Sequence, residues 1–252
     1  MSHHIVEVKN LYYRYTDGTT ALNGVSFRIT HGESVAIVGA NGAGKSTMLM
    51  HLNGYLTPQT GEVRIGDMPL TRQTISHIRR TVGMVFQDPD DQLFMPTVEE
   101  DVAFGPLNLG LPLEDVNTRV DQALKQVEAL HLKKRLSHRL SGGEKRRVAI
   151  ASVLAMEPDI LVLDEPGTGL DPHGRRLLIE LLASFRHTKI LATHDLDMAM
   201  DLCERTIVLH NGQIAADGPT QKILRDDELL QKSHLERPLR LQGYPICNRG
   251  NT

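Results

Sequence analysis

The chain has 252 residues, of which 40% are hydrophobic and 23% are charged, and its formal net charge is −3. This length suits one large domain or two small ones, and the composition is typical of a soluble globular protein. The small negative charge excludes a global basic field that recruits nucleic acid, and no apolar run of about 18 residues predicts a membrane span.

The first 86 residues predict a series of strands and one helix. Apolar runs favour strands over residues 5–8, 25–29, 34–38, 61–65 and 81–86. A helix is predicted to begin at Lys45 and to end near Asn53-Gly54. The third strand leads directly into the glycine-rich segment before that helix.

The character of the chain changes after Gln87. Residues 88–158 contain no convincing strand, and helices are predicted over 97–104 and 114–130. The glycine- and proline-rich residues 105–112 are predicted to form the linker between these two helices.

Strands return in the last third of the chain, over residues 160–163, 189–193 and 206–209. Asn211-Gly212 before residues 213–216 indicates a hairpin. Strands that alternate with helices and are mostly apolar on both faces predict an α/β fold with a sheet covered on both sides.

We therefore predict a single domain over residues 1–218. Residues 1–86 and 159–218 form its core, residues 87–158 form a mostly helical insertion, and residues 219–252 form a short tail of helix and loop. Cys203 and Cys247 are too few for a disulfide framework or a metal site, and the twelve histidines are scattered. With no signal-peptide layout at the N-terminus, we expect a cytosolic, reducing compartment.

A phosphate-binding loop is predicted between the third strand and the first helix. Its nine residues fit Gly-x-x-x-x-Gly-Lys-Ser/Thr and are Gly39, Ala40, Asn41, Gly42, Ala43, Gly44, Lys45, Ser46 and Thr47. Gly42 and Gly44 let the backbone approach phosphates, Lys45 brings a charge to the β- and γ-phosphates of ATP, and Ser46 suits Mg²⁺. A chance glycine-rich turn is the alternative, and the strand before and helix after the loop argue against it.

An acidic pair follows the strand over residues 160–163. Asp164 is placed to hold Mg²⁺ through water, and Glu165 to orient or deprotonate an attacking water. A salt-bridged acidic pair at a strand end explains the two residues equally well in isolation. The phosphate loop in the same chain favours the catalytic reading.

The segment from Leu140 to Glu144, here called the signature segment, has only a partial local explanation. Ser141 and Glu144 form a capping box for the helix that follows. That box does not explain Gly142 and Gly143, since consecutive glycines cost helix stability. They are explained if a phosphate approaches the start of the helix from outside.

A phosphate loop together with Leu-Ser-Gly-Gly some twenty residues before a buried strand that ends in Asp-Glu resembles the ATP-binding cassette family. These are ATPase subunits that power membrane transporters, and the resemblance covers residues 5 to about 220. It implies a P-loop NTPase core with a mixed sheet covered by helices, an antiparallel β subdomain and a helical signature subdomain. It also implies that the phosphate at the signature segment belongs to ATP held by the other subunit of a head-to-tail dimer with two shared ATP sites.

Four further residues take their roles from this resemblance. Gln87 matches a glutamine that senses the γ-phosphate, metal or water, and His194 matches a switch histidine at a strand end. Tyr15 matches an aromatic residue that stacks on adenine, although an ordinary strand tyrosine is the alternative. Asp171 lies in a loop that resembles the one linking the two ATP sites, and it also suits the cap of the next helix.

The segment Phe86 to Phe94, together with Thr97 to Pro106, resembles the energy-coupling factor transporters, which import vitamins and transition metals. In that subgroup two ATPases drive a transmembrane coupling protein and a small substrate-binding membrane protein, and homodimeric ATPases often serve cobalt or nickel uptake. The resemblance implies a peripheral protein on the cytoplasmic face of the membrane, with the coupling protein docked near residues 88–94. An arginine of that partner would pair with Asp90 or Asp91, unless the acidic turn is only solvated.

Other functions remain open at this point. The chain fits the ATPase of another ABC transporter with a different cargo, because the substrate-binding surface lies on another polypeptide. A heterodimer with a second ATPase is equally open. A soluble cassette protein acting on ribosomes or DNA fits less well, since those proteins carry two cassettes with a charged linker or long coiled coils, and we expect no nucleic-acid partner.

Overall fold

The computed structural model describes residues 4–243, so Cys247 and the end of the predicted tail lie outside the described residues. Ten strands are found in this range: β1 His4–Arg14, β2 Thr20–Thr30, β3 Ser34–Val38, β4 Thr60–Ile65, β5 Met68–Pro69, β6 Val82–Val85, β7 Ile160–Asp164, β8 Thr188–Thr193, β9 Arg205–His210 and β10 Gln213–Pro219.

Nine α-helices accompany these strands within the described range: α1 Lys45–Leu52, α2 Ile75–Thr81, α3 Val98–Asn108, α4 Leu113–Gln126, α5 Gly142–Leu154, α6 Pro172–Ser184, α7 Leu196–Leu202, α8 Thr220–Ile223 and α9 Asp227–Lys232. Short 3₁₀ turns lie at Pro89–Asp91, Leu130–Leu132, Ser137–Arg139 and Leu239–Leu241.

The strands form two sheets. A six-stranded sheet has the order β10-β9-β3-β8-β7-β6, and a four-stranded sheet has the order β2-β1-β4-β5. In the larger sheet only β10 and β9 pair in antiparallel fashion, whereas the smaller sheet is antiparallel throughout. This arrangement confirms the predicted mixed sheet and antiparallel β subdomain.

Five strands of the larger sheet, β3 and β6 to β9, are buried on both faces because their apolar residues alternate between two core layers. Ala36 and Val38 of β3 pack in the layer shared with helices α3 to α9. Val35 and Ile37 of the same strand pack in the layer shared with β1, β2 and α1. The continuous apolar runs seen in the sequence therefore belong to strands covered on both faces, whereas the edge strand β10 alternates between exposed and half-buried residues.

Three strand ends meet at one edge of this sheet. β8 lies between β3 and β7, and its Thr193 pairs with Val38 while its Ala192 pairs with Asp164. Because the three strands are parallel, the residues that follow them lie side by side. The fold thus brings together the phosphate loop, the acidic pair and His194.

The hairpin from β9 to β10 is confirmed and braces the phosphate loop. Asn211 and Gly212 both have positive φ, 49° and 72°, as a two-residue hairpin turn requires. The amide of Gly212 donates to the carbonyl of Ala43 at 3.1 Å, and its carbonyl accepts from Asn23 at 2.8 Å. The turn therefore connects the loop with the smaller sheet.

The predicted linker over residues 105–112 is wrong in its first half, because α3 continues through Pro106 to Asn108. A Cβ at Gly105 would lie 2.6 Å from the side chain of Met156. The glycine thus permits close packing of α3 against the chain after α5, and it does not mark a turn. The predicted helix over 114–130 also ends early, at Gln126, where Glu128 takes a left-handed φ of 53°.

Other boundaries differ by a few residues. The strands predicted over 5–8 and 25–29 are the central parts of the longer β1 and β2, and Thr81 belongs to α2, which the sequence did not predict. Between β6 and β7 the described chain has helices, 3₁₀ turns and one isolated bridge, as expected for the helical insertion. The exact domain boundaries remain a prediction. Over residues 4–243, no helix has the length and apolar character needed to cross a membrane.

Candidate functional site

The phosphate loop leaves β3 and enters α1 with a backbone that only glycine tolerates at two positions. Gly42 and Gly44 have φ values of +79° and +104°. A Cβ at Gly44 would lie 2.4 Å from the carbonyl oxygen of Ala21, whereas a Cβ at Gly42 would have no atom of residues 4–243 within 4 Å. One glycine therefore allows close packing on β2, and the other leaves the loop open to a ligand.

Lys45 is the first residue of α1 and is only 7% exposed. Its Nζ donates to the carbonyls of Gly39 at 2.9 Å and Ala40 at 3.3 Å, and lies 3.8 Å from Oε1 of Glu165. The loop thus holds a buried positive charge beside the N-terminus of a helix, an arrangement suited to phosphate.

Asp164 ends β7 with its carboxylate buried, and its Oδ1 has no hydrogen-bond partner among the described residues. Burial raises the pKa of this carboxyl and nearby Glu165 raises it further, while Ser46, Lys45 and Arg146 act in the opposite direction. An unpaired buried carboxylate oxygen beside a serine hydroxyl fits a hard divalent cation such as Mg²⁺.

Glu165 follows directly and is only 6% exposed, with a left-handed φ of 45°. Its Oε2 accepts from Oγ1 of Thr193 at 3.1 Å and from the amide of His194 at 3.3 Å, and lies 2.8 Å from Nδ1 of His194. The backbone turn and these contacts aim the carboxylate toward Lys45. His194 itself is 61% exposed in its side chain, so the pair lies at the border with solvent.

A cleft of about 510 Å³ lies beside Ser46 and is here called the Ser46 cleft. Its lining includes Ser46, Gln87, Asp164 and Arg146. Gln87 is exposed just past the end of β6. The structure therefore places three predicted metal- or phosphate-contacting residues around one opening.

The signature segment forms the predicted capping box at the start of α5. Oγ of Ser141 accepts from the amide of Glu144 at 3.4 Å, and Oε2 of Glu144 accepts from the amide of Ser141 at 2.7 Å. A Cβ at Gly142 would meet no atom within 4 Å, and one at Gly143 only Leu170 at 3.9 Å. Packing among the described residues thus does not require the two glycines. No residue of the segment lines the Ser46 cleft.

Asp171 and Tyr15 occupy two other edges of the site. Oδ1 of Asp171 accepts from the amide of Gly174 at 2.6 Å, so it caps α6 as predicted. The hydroxyl of Tyr15 is hydrogen-bonded to Oγ1 of Thr47 at 2.9 Å, and its ring packs edge-on against Tyr13 at 5.1 Å. Tyr15 therefore lies against the start of α1 and keeps 37% of its surface exposed.

Three contacts at the site were not predicted from the sequence. Thr193 holds the carboxylate of Glu165, and Arg175 donates to Oδ2 of Asp195 at 2.9 and 3.1 Å next to His194. Arg146 reaches from α5 to the carbonyl of Gln87. The sequence does show a threonine before His194 and a basic run after the signature segment. Neither feature indicates which group the side chain would contact.

Known proteins match almost the whole chain. A family model described as ABC transporter matches residues 22–168, more than half of the chain. A putative ABC transporter ATP-binding protein of Geobacter sulfurreducens is 68% identical over 249 residues, which cover 99% of this chain and 100% of that protein. The energy-coupling factor transporter ATP-binding protein EcfA of Methanocaldococcus jannaschii is 47% identical over 251 residues, which cover 98% of this chain and 90% of that protein.

A solved structure agrees with these relatives. The cbiO1 protein of Clostridium perfringens, described as part of the ABC transporter complex cbiONQ, is 42% identical and has a TM-score of 0.80. The superposition covers 92% of this chain and 94% of that one. The fold thus matches that of a known ATPase structure, and the chain belongs to the ABC transporter family as an ATP-binding, ATP-hydrolysing subunit.

Proposed function

We propose that this chain hydrolyses ATP to power import through an energy-coupling factor-type membrane transporter, with cobalt or nickel ion as the cargo. The observation that carries the ATPase part is the Glu165 carboxylate, held between Lys45 and His194 at the mouth of the phosphate loop. The transporter class is supported by the segment from Phe86 to Phe94 and by the similarity to an EcfA and a cbiO1 protein.

ATP binds between the phosphate loop and Tyr15. The ring of Tyr15 stacks on the adenine, while the amides of Gly39 to Thr47 and the charge of Lys45 hold the phosphates. Ser46, Gln87 and Asp164 hold Mg²⁺, which neutralises charge on the β- and γ-phosphates when bound. The unpaired Oδ1 of Asp164 supports this assignment.

Glu165 orients and deprotonates the attacking water. His194 holds the Glu165 carboxylate in place and contacts the γ-phosphate. The contacts to Thr193 and His194 all involve Oε2 of Glu165. Oε1 therefore faces the loop, 3.8 Å from Nζ of Lys45. A carboxylate held in this way acts as a general base with little reorganisation.

The active form is a head-to-tail homodimer with two shared ATP sites. Gly142 and Gly143 are free of close intrachain contacts on their Cβ side, and the signature segment lies outside the Ser46 cleft. Ser141, Gly142, Gly143 and Glu144 of one chain then complete the site of the other, and Asp171 lies in the loop between the two sites.

A transmembrane coupling protein docks on residues 88–94, and a small membrane protein binds the substrate. Asp91 is exposed, while the Phe94 ring is 63% exposed and packs edge-on against Phe104 at 4.8 Å. Asp90 is paired instead with Lys145 at 2.5 Å. An arginine of the partner would pair with Asp91, Phe94 would give apolar contact, and this chain would be a peripheral subunit on the cytoplasmic face of the membrane.

Reconstitution tests this proposal. The chain is produced together with the membrane proteins encoded beside its gene, and uptake of radioactive Co²⁺ and Ni²⁺ into proteoliposomes is measured with ATP on the side of the ATPase. We expect saturable uptake that Glu165→Gln abolishes. Uptake of a vitamin with no metal uptake would overturn the cargo, and co-purification with ribosomes or DNA in place of membrane partners would overturn the transport function.

A further inference from the structure

The guanidinium of Arg146 lies between α5 and the chain that leaves β6. Arg146 is 4% exposed, and it donates to the carbonyl of Phe86 at 2.9 Å and to the carbonyl of Gln87 at 2.5 Å. The last ladder pair of β6 is Val85 with Leu163. These two carbonyls therefore lie past the sheet, and the side chain of Arg146 takes the place of a neighbouring strand.

Gln92 completes the attachment from the opposite direction. Its Oε1 accepts from the amide of Phe86 at 3.1 Å, and its Nε2 donates to the carbonyl of Ala149 at 2.7 Å and to Oγ of Ser152 at 2.9 Å. Both backbone groups of Phe86 are thus tied to α5 through side chains. The segment that carries Gln87 is thus hydrogen-bonded to α5 just after it leaves the sheet.

An arginine suits this position because its planar fork reaches two adjacent carbonyls at once, which a lysine ammonium does not match. Its burial has a cost, since Nε has no hydrogen-bond partner among the described residues. Burial lowers the pKa of Arg146, while the charges of Asp88 and Asp164 raise it. Packing alone does not explain a partly unsatisfied guanidinium at this position. We therefore look for its role in the backbone carbonyls that it binds.

What it holds is the backbone of a residue whose side chain is exposed. Gln87 is exposed and lines the Ser46 cleft together with Ser46 and Asp164. The backbone at Gln87 determines the region that this amide group can reach, and Arg146 bonds that backbone directly.

We infer that Arg146 is a positioning residue for ATP hydrolysis: it keeps the amide of Gln87 in the Ser46 cleft and makes it move with α5. The inference rests on the role proposed above for Gln87.

Three variants of the full-length chain test this inference, each measured for kcat and for the affinity of a fluorescent ATP analogue. Arg146→Lys keeps the charge and loses the fork, whereas Arg146→Gln removes the charge and keeps one donor group. Arg147→Lys is the matched control, because Arg147 donates to the carbonyl of Glu128 at 3.2 Å and does not line the Ser46 cleft. We expect kcat to fall roughly 10- to 100-fold in Arg146→Lys, as a displaced catalytic group costs this much. Analogue affinity should change by less than about two-fold because the phosphate loop is untouched.

A second pair of variants, made in a Gln87→Ala background, distinguishes a positioning role of Arg146 from a general effect on protein stability. In Gln87→Ala, the amide that Arg146 positions is gone, so Arg146→Lys should change kcat by less than about two-fold. Full kcat in Arg146→Lys, or an equal fold loss in both backgrounds, would overturn the inference. Thermal unfolding checks that the variants fold, and if Arg146→Lys does not fold, Arg146→Gln is judged by the same two criteria.

The proposed function is read out separately with Glu165→Gln. Hydrolysis at the normal rate in Glu165→Gln would reject the proposed catalytic role whatever Arg146 does. An inactive Glu165→Gln combined with full activity in Gln87→Ala would leave the function standing and overturn the role of Arg146.

Discussion

Nδ1 of His194 lies 2.8 Å from Oε2 of Glu165, so an exposed imidazole and a buried carboxylate form one pair across the ends of β8 and β7. The pair exists because β7 and β8 are adjacent parallel strands, with Asp164 level with Ala192. Thr193 adds a hydrogen bond to the same carboxylate oxygen at 3.1 Å. Any test of the catalytic role of Glu165 must therefore preserve its shape and remove only its charge.

Glu165→Gln meets that requirement. We expect the variant to keep ATP binding and to lose hydrolysis by at least ~100-fold, because the water loses its base while the phosphate loop stays intact. Steady-state phosphate release and equilibrium binding of a fluorescent ATP analogue measure the two effects. Glu180→Gln on the exposed face of α6 is the matched control and should hydrolyse ATP normally. Turnover near the wild-type rate in Glu165→Gln would reject the role.

Tyr15 separates stacking from hydrogen bonding. Tyr15→Ala removes the ring, and we expect the KM for ATP to rise roughly ten-fold, since base–aromatic stacking contributes about 1–3 kcal/mol. Tyr15→Phe removes only the hydrogen bond to Thr47, and its KM should rise by no more than about two-fold. Tyr12→Ala, near the end of β1 and 44% exposed, is the control. An unchanged KM in Tyr15→Ala would show that Tyr15 is an ordinary strand-end residue.

These residues differ in how far the sequence could predict them. The phosphate loop, the acidic pair and the two capping residues Ser141 and Asp171 depend on neighbours within a few positions, so a local pattern specifies them. The apolar runs predicted a sheet covered on both sides, but they did not specify the order of its strands. The course of α3 through Pro106 could not be predicted, because the packing of Gly105 on Met156 joins residues far apart in the chain.

Long-range polar contacts were the other gap. Arg146 and the carbonyl of Gln87 are 59 positions apart, and Thr193 and Glu165 are 28 positions apart. A single sequence shows that the side chains of Arg146 and Thr193 are polar. It does not show which acceptor each of them hydrogen-bonds. These contacts form only because the fold packs α5 against the end of β6 and places β7 beside β8.

Shared ATP sites predict a specific pattern of complementation. Lys45→Ala and Ser141→Arg should each silence hydrolysis in a homodimer, because each fault falls in both sites. A mixed dimer with one variant in each chain should recover activity, since both faults then fall in the same site and the other site is intact. Two affinity tags isolate the mixed dimer for the assay.

The matched control places both changes in one chain and pairs it with a wild-type chain. Each site then carries one fault, and this dimer should remain inactive. Equal activity of the two mixed dimers, or a chain that stays monomeric at saturating ATP with Glu165→Gln, would contradict the head-to-tail arrangement.

Asp90 and Asp91 are expected to contribute differently to binding of the membrane partner. Both carboxylates are exposed, but Asp90 is already paired with Lys145 on α5, whereas no ion pair of Asp91 is found among the described residues. If an arginine of the coupling protein pairs with Asp91, truncating this partly buried pair costs about 2–5 kcal/mol of binding free energy. Asp91→Ala, or the double change with Asp90→Ala, should therefore weaken pull-down of the coupling protein and uncouple reconstituted transport while ATP binding persists.

Asp90→Ala alone should affect assembly much less, because its charge is satisfied within the chain. If both carboxylates can be removed with uptake and assembly unchanged, the docking surface lies elsewhere and the acidic turn is only a solvated loop.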